Sequence, residues 1–379
     1  MSIEESLLIE LIKQSQFGQS EVIDYRCVDM EALFNEASQQ AVLGIIASEI
    51  PLEFTNEKWQ RAQHKQVYNF IRYCHAQDDL IQLLDSASIS FVILKGNASA
   101  IYYNDPTLRV MGDVDLLVSP RLYDKTKMLL SSSGYIEVRD NGRHAVFKKD
   151  GYTYEVHHHF SHEIDLEDII ISGLDFRVYK TVDGHNFPML PKLANGLIIL
   201  DHFRSHLQAA IGLRQVVDWM MYVYRNLDDE FWEKEFKPVL QEKGMEKLAI
   251  TLTRMCQLYL GLPDNITWCN SGDEALCEIL FDSVMTTGNF GSKSGDGKTF
   301  ESVGVAFMSE GFFSRLQHAG ESNWHAYQAH HFLKPFCWLY QLFRYISKAL
   351  KTGRSFKQIK SDTYRSRERY ELIQKLMSE

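Results

Sequence analysis

A chain of 379 residues with 45% hydrophobic and 24% charged content lies inside the globular range, which excludes extended disorder and leaves room for two or three modules. A net charge of −10 excludes a general nucleic-acid binder, because such proteins draw their affinity from clustered positive charge on phosphates. No apolar run reaches the roughly 18 residues of a membrane span, the opening MSIEESLLIELIKQ carries acids where a signal peptide needs a basic lead, and Cys27, Cys74, Cys256, Cys269, Cys277 and Cys337 are scattered, so a cytoplasmic chain with reduced thiols is expected.

Residues 1–88 read as an N-terminal helical region. Apolar residues recur at three- and four-residue steps in SLLIELI, MEALFNEASQQAVLGIIA and the long NEKWQRAQHKQVYNFIRYCHAQDDLIQLLDS. From about 89 the pattern changes to short β-rich runs: FVILK, GDVDLLVS, YIEV, HAVFKK and YTYEVHHHF. Helices are expected between them at about 98–103 and 122–132, and the last strand is expected to end near Ser161. The segment 89–190 is therefore a mixed sheet with flanking helices. The helical period returns in 191–331, interrupted by a glycine-rich stretch, 286–302, that reads as a loop and a candidate lid. Its Gly295-Asp296-Gly297-Lys298-Thr299 is not a phosphate-binding P-loop, since Ser292 stands where the first glycine belongs and no β-run precedes it.

Residues 332–379 form a basic helical tail. From Lys334 to Glu379 eleven Lys or Arg face four Asp or Glu, about +7, leaving about −17 for the rest of the chain. Aromatics mixed with bases in FLKPFCWLYQLFRYISKALKTGRSFKQIK fit packing against the acidic body; peripheral contact with a membrane surface is the second reading.

The chemistry concentrates in Arg109-Val110-Met111-Gly112-Asp113-Val114-Asp115-Leu116-Leu117-Val118. Side chains two apart on a strand share a face, so Asp113 and Asp115 project together. Paired carboxylates repel unless a cation lies between them, and Mg²⁺ or Mn²⁺ takes such hard oxygen ligands together with substrate phosphates. Glu155, on another strand, is the candidate third carboxylate of a two-metal site. His157 lies on its face and could touch acceptor or triphosphate. His157-His158-His159 cannot all bind one ion, because alternate residues on a strand point to opposite sides, which argues against a zinc hydrolase.

Upstream, Lys95 and Gly96 follow an apolar strand and open a short helix with Asn97 and Ser99, a geometry suited to phosphate. Arg109 is a second candidate triphosphate contact, poised to clamp the leaving pyrophosphate. Arg214 and Asp218, four apart on an expected helix, read as a salt bridge; the functional alternative has Arg214 reaching the nucleotide.

Strand, Lys95-Gly96 turn, short helix, Arg109, GDVDLLV, helix and EVHHHF together resemble the uncharacterised nucleotidyltransferase family of the DNA polymerase beta superfamily. The match runs from Phe91 to Phe160 and extends more weakly through His206, Gly212, Leu213, Arg214 and Asp218 to the GNFG of Gly288–Gly291. The superfamily usually has Gly-Ser after its first strand, whereas Asn97 follows Gly96 here. The resemblance implies an α+β minimal nucleotidyltransferase core with N-terminal helices and a C-terminal helical domain. It also implies a nucleoside triphosphate donor, ATP among the candidates, and divalent metal at Asp113, Asp115 and Glu155. Lys95, Gly96, Asn97, Ser99, Arg109, Gly112, His157 and Arg214 are the candidate nucleotide contacts. The expected reaction moves a nucleoside monophosphate onto a small molecule, glycan, peptide or protein acceptor, with release of pyrophosphate. The alternative is a catalytically inactive nucleotide-binding or partner protein.

Overall fold

Four N-terminal helices come first in the computed structural model: α1 (Ile3–Phe17), α2 (Met30–Gln39), α3 (Leu43–Ala47) and α4 (Glu57–Ser86). The structure describes residues 1–19, 24–160, 166–208, 210–293, 297–351 and 356–378. Helix α4 starts where the Asn56 side chain accepts from the Lys58 and Trp59 amides. Its Phe70, Tyr73, Cys74, Gln77, Leu80, Ile81 and Leu84 are buried, the three-and-four spacing of one face laid on the sheet.

The sheet module runs β1 (Phe91–Leu94), α5 (Gly96–Ala100), β2 (Val114–Val118), α6 (Tyr123–Ser132), β3 (Ile136–Asp140), β4 (His144–Lys149), β5 (Tyr152–His157), α7 (Glu167–Gly173), β6 (Val178–Val182) and β7 (His185–Met189). Seven strands lie in the order β3-β4-β5-β2-β1-β7-β6. The β2–β5 and β1–β7 pairs are parallel and the others antiparallel, so this is an α+β protein with a mixed sheet. Strands β1 and β2 are buried along their whole length, as expected of central strands read as continuous apolar runs.

Three of these strands depart from expectation. β5 ends at His157, Ser161 lies outside the described residues, and the β6–β7 hairpin has no counterpart among the expected strands. Its turn is Asp183-Gly184, with φ of 49° and 84°, the left-handed pair that a two-residue hairpin requires.

The helical half comprises α8 (Lys192–Leu207), α9 (Leu213–Asn226), α10 (Asp229–Phe231), α11 (Lys237–Glu242), α12 (Glu246–Leu260), α13 (Glu274–Thr287), α14 (Gly297–Glu310), α15 (Phe312–Asn323), α16 (His325–Ala329), α17 (Cys337–Lys351) and α18 (Phe356–Met377). The stretch 286–302, expected as a loop, is in part helical: α13 runs to Thr287, Asn289–Gly291 is a 3-10 turn and α14 begins at Gly297. Residues 294–296 lie outside the described residues.

One hydrophobic core runs from Leu7 on α1 through the sheet to Leu372 and Leu376 on α18. Residues from each of the four expected segments contribute to it. The side chain of Gln40, just after α2, ties the first of them to the third. Its Nε2 donates to the Met285 carbonyl at 3.2 Å, and its Oε1 accepts from the Leu213 amide at 3.0 Å.

Candidate active site

Register brings the acids together. β2 and β5 run parallel with Asp115 opposite Glu155, and β1 runs antiparallel to β2 with Leu94 opposite Asp115. A carboxylate on the central strand therefore has a second carboxylate on one side and the Lys95-Gly96 turn on the other. Lys95 has φ 49° and ψ −135°, an unusual conformation for a side-chain-bearing residue that costs on the order of 1 kcal/mol. Gly96 follows at φ 34°, and a Cβ there would meet the Tyr73 ring only at 3.8 Å. Backbone conformation, not space, calls for glycine.

The turn aims Lys95 inward, with Nζ 2.9 Å from Asp115 Oδ1. His157 Nε2 lies 3.0 Å from the same oxygen and 3.4 Å from Glu155 Oε2. Burial opposes ionisation of Asp115, but the Lys95 charge and the His157 hydrogen bond outweigh it and hold the carboxyl well below its ordinary range. The bond from His157 likewise lowers Glu155. Burial pulls His157 down, yet its bonds to Asp115 and Glu155 reverse this and raise it. Asp113 goes the other way: the Asp115 charge, then burial, push its pKa up to about 6.

Lys95, Gly96, Arg109, Gly112, Asp113, Asp115, Glu155 and Arg214 meet around a cavity of about 230 Å³, joined by His202 and His206 from α8. Neither histidine had been singled out as a contact, although the sequence DHFRSH places them one helical turn apart, and their rings lie 4.3 Å apart. Burial lowers His202 well below its ordinary pKa, so it is neutral. A second cavity of about 570 Å³ adjoins, sharing Lys95, Glu155, His202 and His206 and bordered also by His157 and Arg143.

Arg109, Asp218, Asn97 and Ser99 are placed as follows. Arg109 lines the cavity, but its guanidinium is bound by the buried Asp218 through Nε to Oδ1 at 2.7 Å and Nη2 to Oδ2 at 2.8 Å. That bidentate pair fastens the segment before β2 to α9. Asp218 accepts also from Tyr103 Oη at 2.7 Å, so its partner is Arg109 in place of the expected Arg214. Asn97 and Ser99 are buried and do not line the cavity. The Asn97 amide points at α4, donating to Gln77 Oε1 at 3.2 Å.

The three histidines go separate ways. His157 enters the site, His158 stacks 4.0 Å from the Tyr123 ring, and His159 lies 3.6 Å from Glu167. Asp115, Glu155 and His157 each offer a ligand atom within 4.8 Å of the other two, a group that could hold a metal ion, and Asp113 lines the same cavity.

A solved structure of an antigenic nucleotidyltransferase-like protein from Paracoccidioides brasiliensis is similar at 17% identity, covering 46% of this chain and 90% of that one with a TM-score of 0.30. No curated protein matches. The family model for an uncharacterised nucleotidyltransferase matches residues 26–261, more than half of the chain, and every residue lining the 230 Å³ cavity lies inside that span. The chain belongs to this uncharacterised nucleotidyltransferase family.

Proposed function

We propose that the chain transfers a nucleoside monophosphate from a nucleoside triphosphate to a hydroxyl-bearing acceptor, with Asp113, Asp115 and Glu155 as the metal-binding carboxylates. The observation that carries this reading is the register pairing of Asp115 with Glu155 beside Asp113, in a cavity that also holds Lys95 and Arg214. Bound there, two divalent ions would neutralise the triphosphate and make the acceptor hydroxyl more acidic. Asp115 would hold such an ion, since its buried carboxylate already attracts Lys95 and His157.

The remaining steps belong to the protein's own residues. Lys95 exchanges Asp115 for a phosphate oxygen when substrate enters. Arg214, which lines the same cavity, meets the charge that builds on departing pyrophosphate. The acceptor oxygen forms a bond to the α-phosphorus as the bridging P–O bond to pyrophosphate breaks, and the hydroxyl proton passes to a carboxylate of the trio or to water. His202 and His206 flank the approach to both cavities, and the larger cavity is the acceptor's place. The acceptor is a small molecule, glycan, peptide or protein. The acidic body disfavours nucleic acid.

The test is incubation with Mg²⁺ and each of four α-³²P nucleoside triphosphates, with and without cell extract. Label transfer matched by pyrophosphate release and lost in Asp113→Asn supports the reading. Triphosphate binding without transfer under any condition favours the inactive nucleotide-binding alternative.

Two further readings attach to the whole chain. The six cysteines are free, which suits a reducing cytoplasmic compartment. No helix among the described residues is long and apolar enough to cross a membrane. Phe343 and Ile346 are nonetheless exposed on α17 at 66% and 48%, beside exposed Arg344 and Lys348. This face meets an anionic lipid surface from outside, its apolar residues entering the interface and its bases facing the headgroups.

A further inference from the structure

Away from the active site, His75 and Asp78 stand one turn apart on the outer side of α4, and His185 opens β7 after the Asp183-Gly184 turn. One ligand atom from each lies within 4.8 Å of the other two. His185 Nδ1 is 2.6 Å from Asp78 Oδ2, and the two imidazoles meet edge to face at 5.2 Å. A tetrahedral ion with bonds of about 2.0 to 2.2 Å needs its ligand atoms roughly 3.4 Å apart, so small side-chain rotations close the set around one ion. His75 is exposed and His185 and Asp78 are half-buried, leaving the fourth position to water.

We propose that His75, Asp78 and His185 form a surface site for a borderline divalent transition ion, zinc by preference, that fastens the β6–β7 hairpin to α4. The ligand chemistry separates it from the active-site group: two imidazoles and one carboxylate suit zinc, cobalt or nickel, whereas Asp115, Glu155 and His157 offer two carboxylates to one imidazole and lean towards harder ions. Its position connects it to the site. On the inner side of the same helical turn, Cys74 and Gln77 bond to Asn97 and Tyr73 lies against Gly96, while β7 pairs with β1 at Ile93 and Met189. An ion at this clip braces both neighbours of the strand that ends in the Lys95-Gly96 turn. It also closes a loop of more than a hundred residues, where a cross-link removes much chain entropy.

The experiment is calorimetric titration of the full chain with zinc in a large excess of magnesium, repeated for His75→Ala, His185→Ala and Asp115→Asn, with visible spectroscopy of the cobalt-loaded wild type. The expected result is one saturable zinc site that magnesium does not displace, with the intense bands of four- or five-coordinate cobalt. Each histidine variant should bind at least about tenfold more weakly, since losing a direct ligand exceeds the effect of losing an outer partner. Asp115→Asn should bind as wild type does, which keeps this outcome independent of the catalytic reading. Absence of saturable binding, binding retained by both histidine variants, or binding lost in Asp115→Asn would overturn the proposal.

Discussion

Asp218 shows how one buried side chain sets the position of another. Its carboxylate accepts two bonds from Arg109 and one from Tyr103, and both members of the ion pair are nearly inaccessible. Replacing it with alanine strands a guanidinium in the interior, and such a loss typically costs about 3 to 5 kcal/mol. Asp218→Ala is expected to lower the free energy of unfolding by that amount, read as a lower denaturant midpoint with the slope unchanged, and a loss under 1 kcal/mol would show that the pair is not buried as described. Asp113→Asn should behave in the opposite way. Asp113 is partly exposed and its ionisation is opposed by Asp115, so the variant should keep wild-type stability while label transfer falls at least about a thousandfold. A variant that retains transfer removes Asp113 from the mechanism. That the three acids line one cavity was legible in the sequence because residue type marks them locally and short β-rich runs carry Asp115 and Glu155, although Asp113 lies just before β2 and not on it. The partner of Arg109 was not, because Asp218 stands 109 residues away on a helix and charge complementarity at that distance leaves no periodic trace. Asn97 misled for a related reason: it follows a phosphate-type turn, yet its amide is consumed by α4.

At the scale of elements, close backbone approach decides how the segments of the helical half meet one another. A Cβ on Gly196 in α8 would stand 2.3 Å from the Tyr222 ring in α9, and one on Gly212 would stand 2.5 Å from the Asn289 amide nitrogen. Neither approach tolerates a methyl group without movement. Gly212 begins the helix that carries Arg214, and Gln215 Nε2 also holds Asn289 Oδ1 at 2.9 Å. Gly212→Ala is therefore expected to push the Gly288–Gly291 turn off α9 and destabilise the fold by roughly 1 to 3 kcal/mol, read as a lower thermal midpoint. Triphosphate affinity, measured by calorimetry, should fall with it because Arg214 shifts. An unchanged midpoint would mean that the turn gives way freely. The GNFG turn was visible as a motif, but its docking partner was not, since Gly212 and Asn289 are joined only through folding of the intervening helices. The β6–β7 hairpin was legible in principle: VYKTV and HNFPM flank Asp-Gly, the strongest short hairpin signal. Pro188 and the shortness of the runs obscured it.

Charge is divided unevenly over the whole molecule, and the division falls where the exposed aromatics are. The tail from Lys334 onward carries about +7 against about −17 for the remainder. Helix α18 uses part of that tail to return to the body, burying Leu372 and Leu376. Helix α17 does not spend its apolar residues in this way: it packs on α15, buries Gln341 and leaves Phe343 and Ile346 outside. Phe312, Phe313, Phe332 and Phe336, from the segments beside it, are also at least half exposed. If the basic tail served only to neutralise the acidic body, its aromatics would be expected inside. An anionic bilayer satisfies both features, because the rings gain by leaving water and each base near the surface contributes about 1 kcal/mol. The expected outcome is co-sedimentation of the full chain with vesicles containing phosphatidylserine and none with pure phosphatidylcholine. Binding should weaken as salt shortens the Debye length from about 10 Å at 0.1 M towards 3 Å at 1 M. The Phe343→Ser, Ile346→Ser double variant should lose it while keeping wild-type helicity and label transfer. Equal binding to both vesicle types, or self-association in the absence of lipid that the double variant abolishes, would assign this face to another occupant.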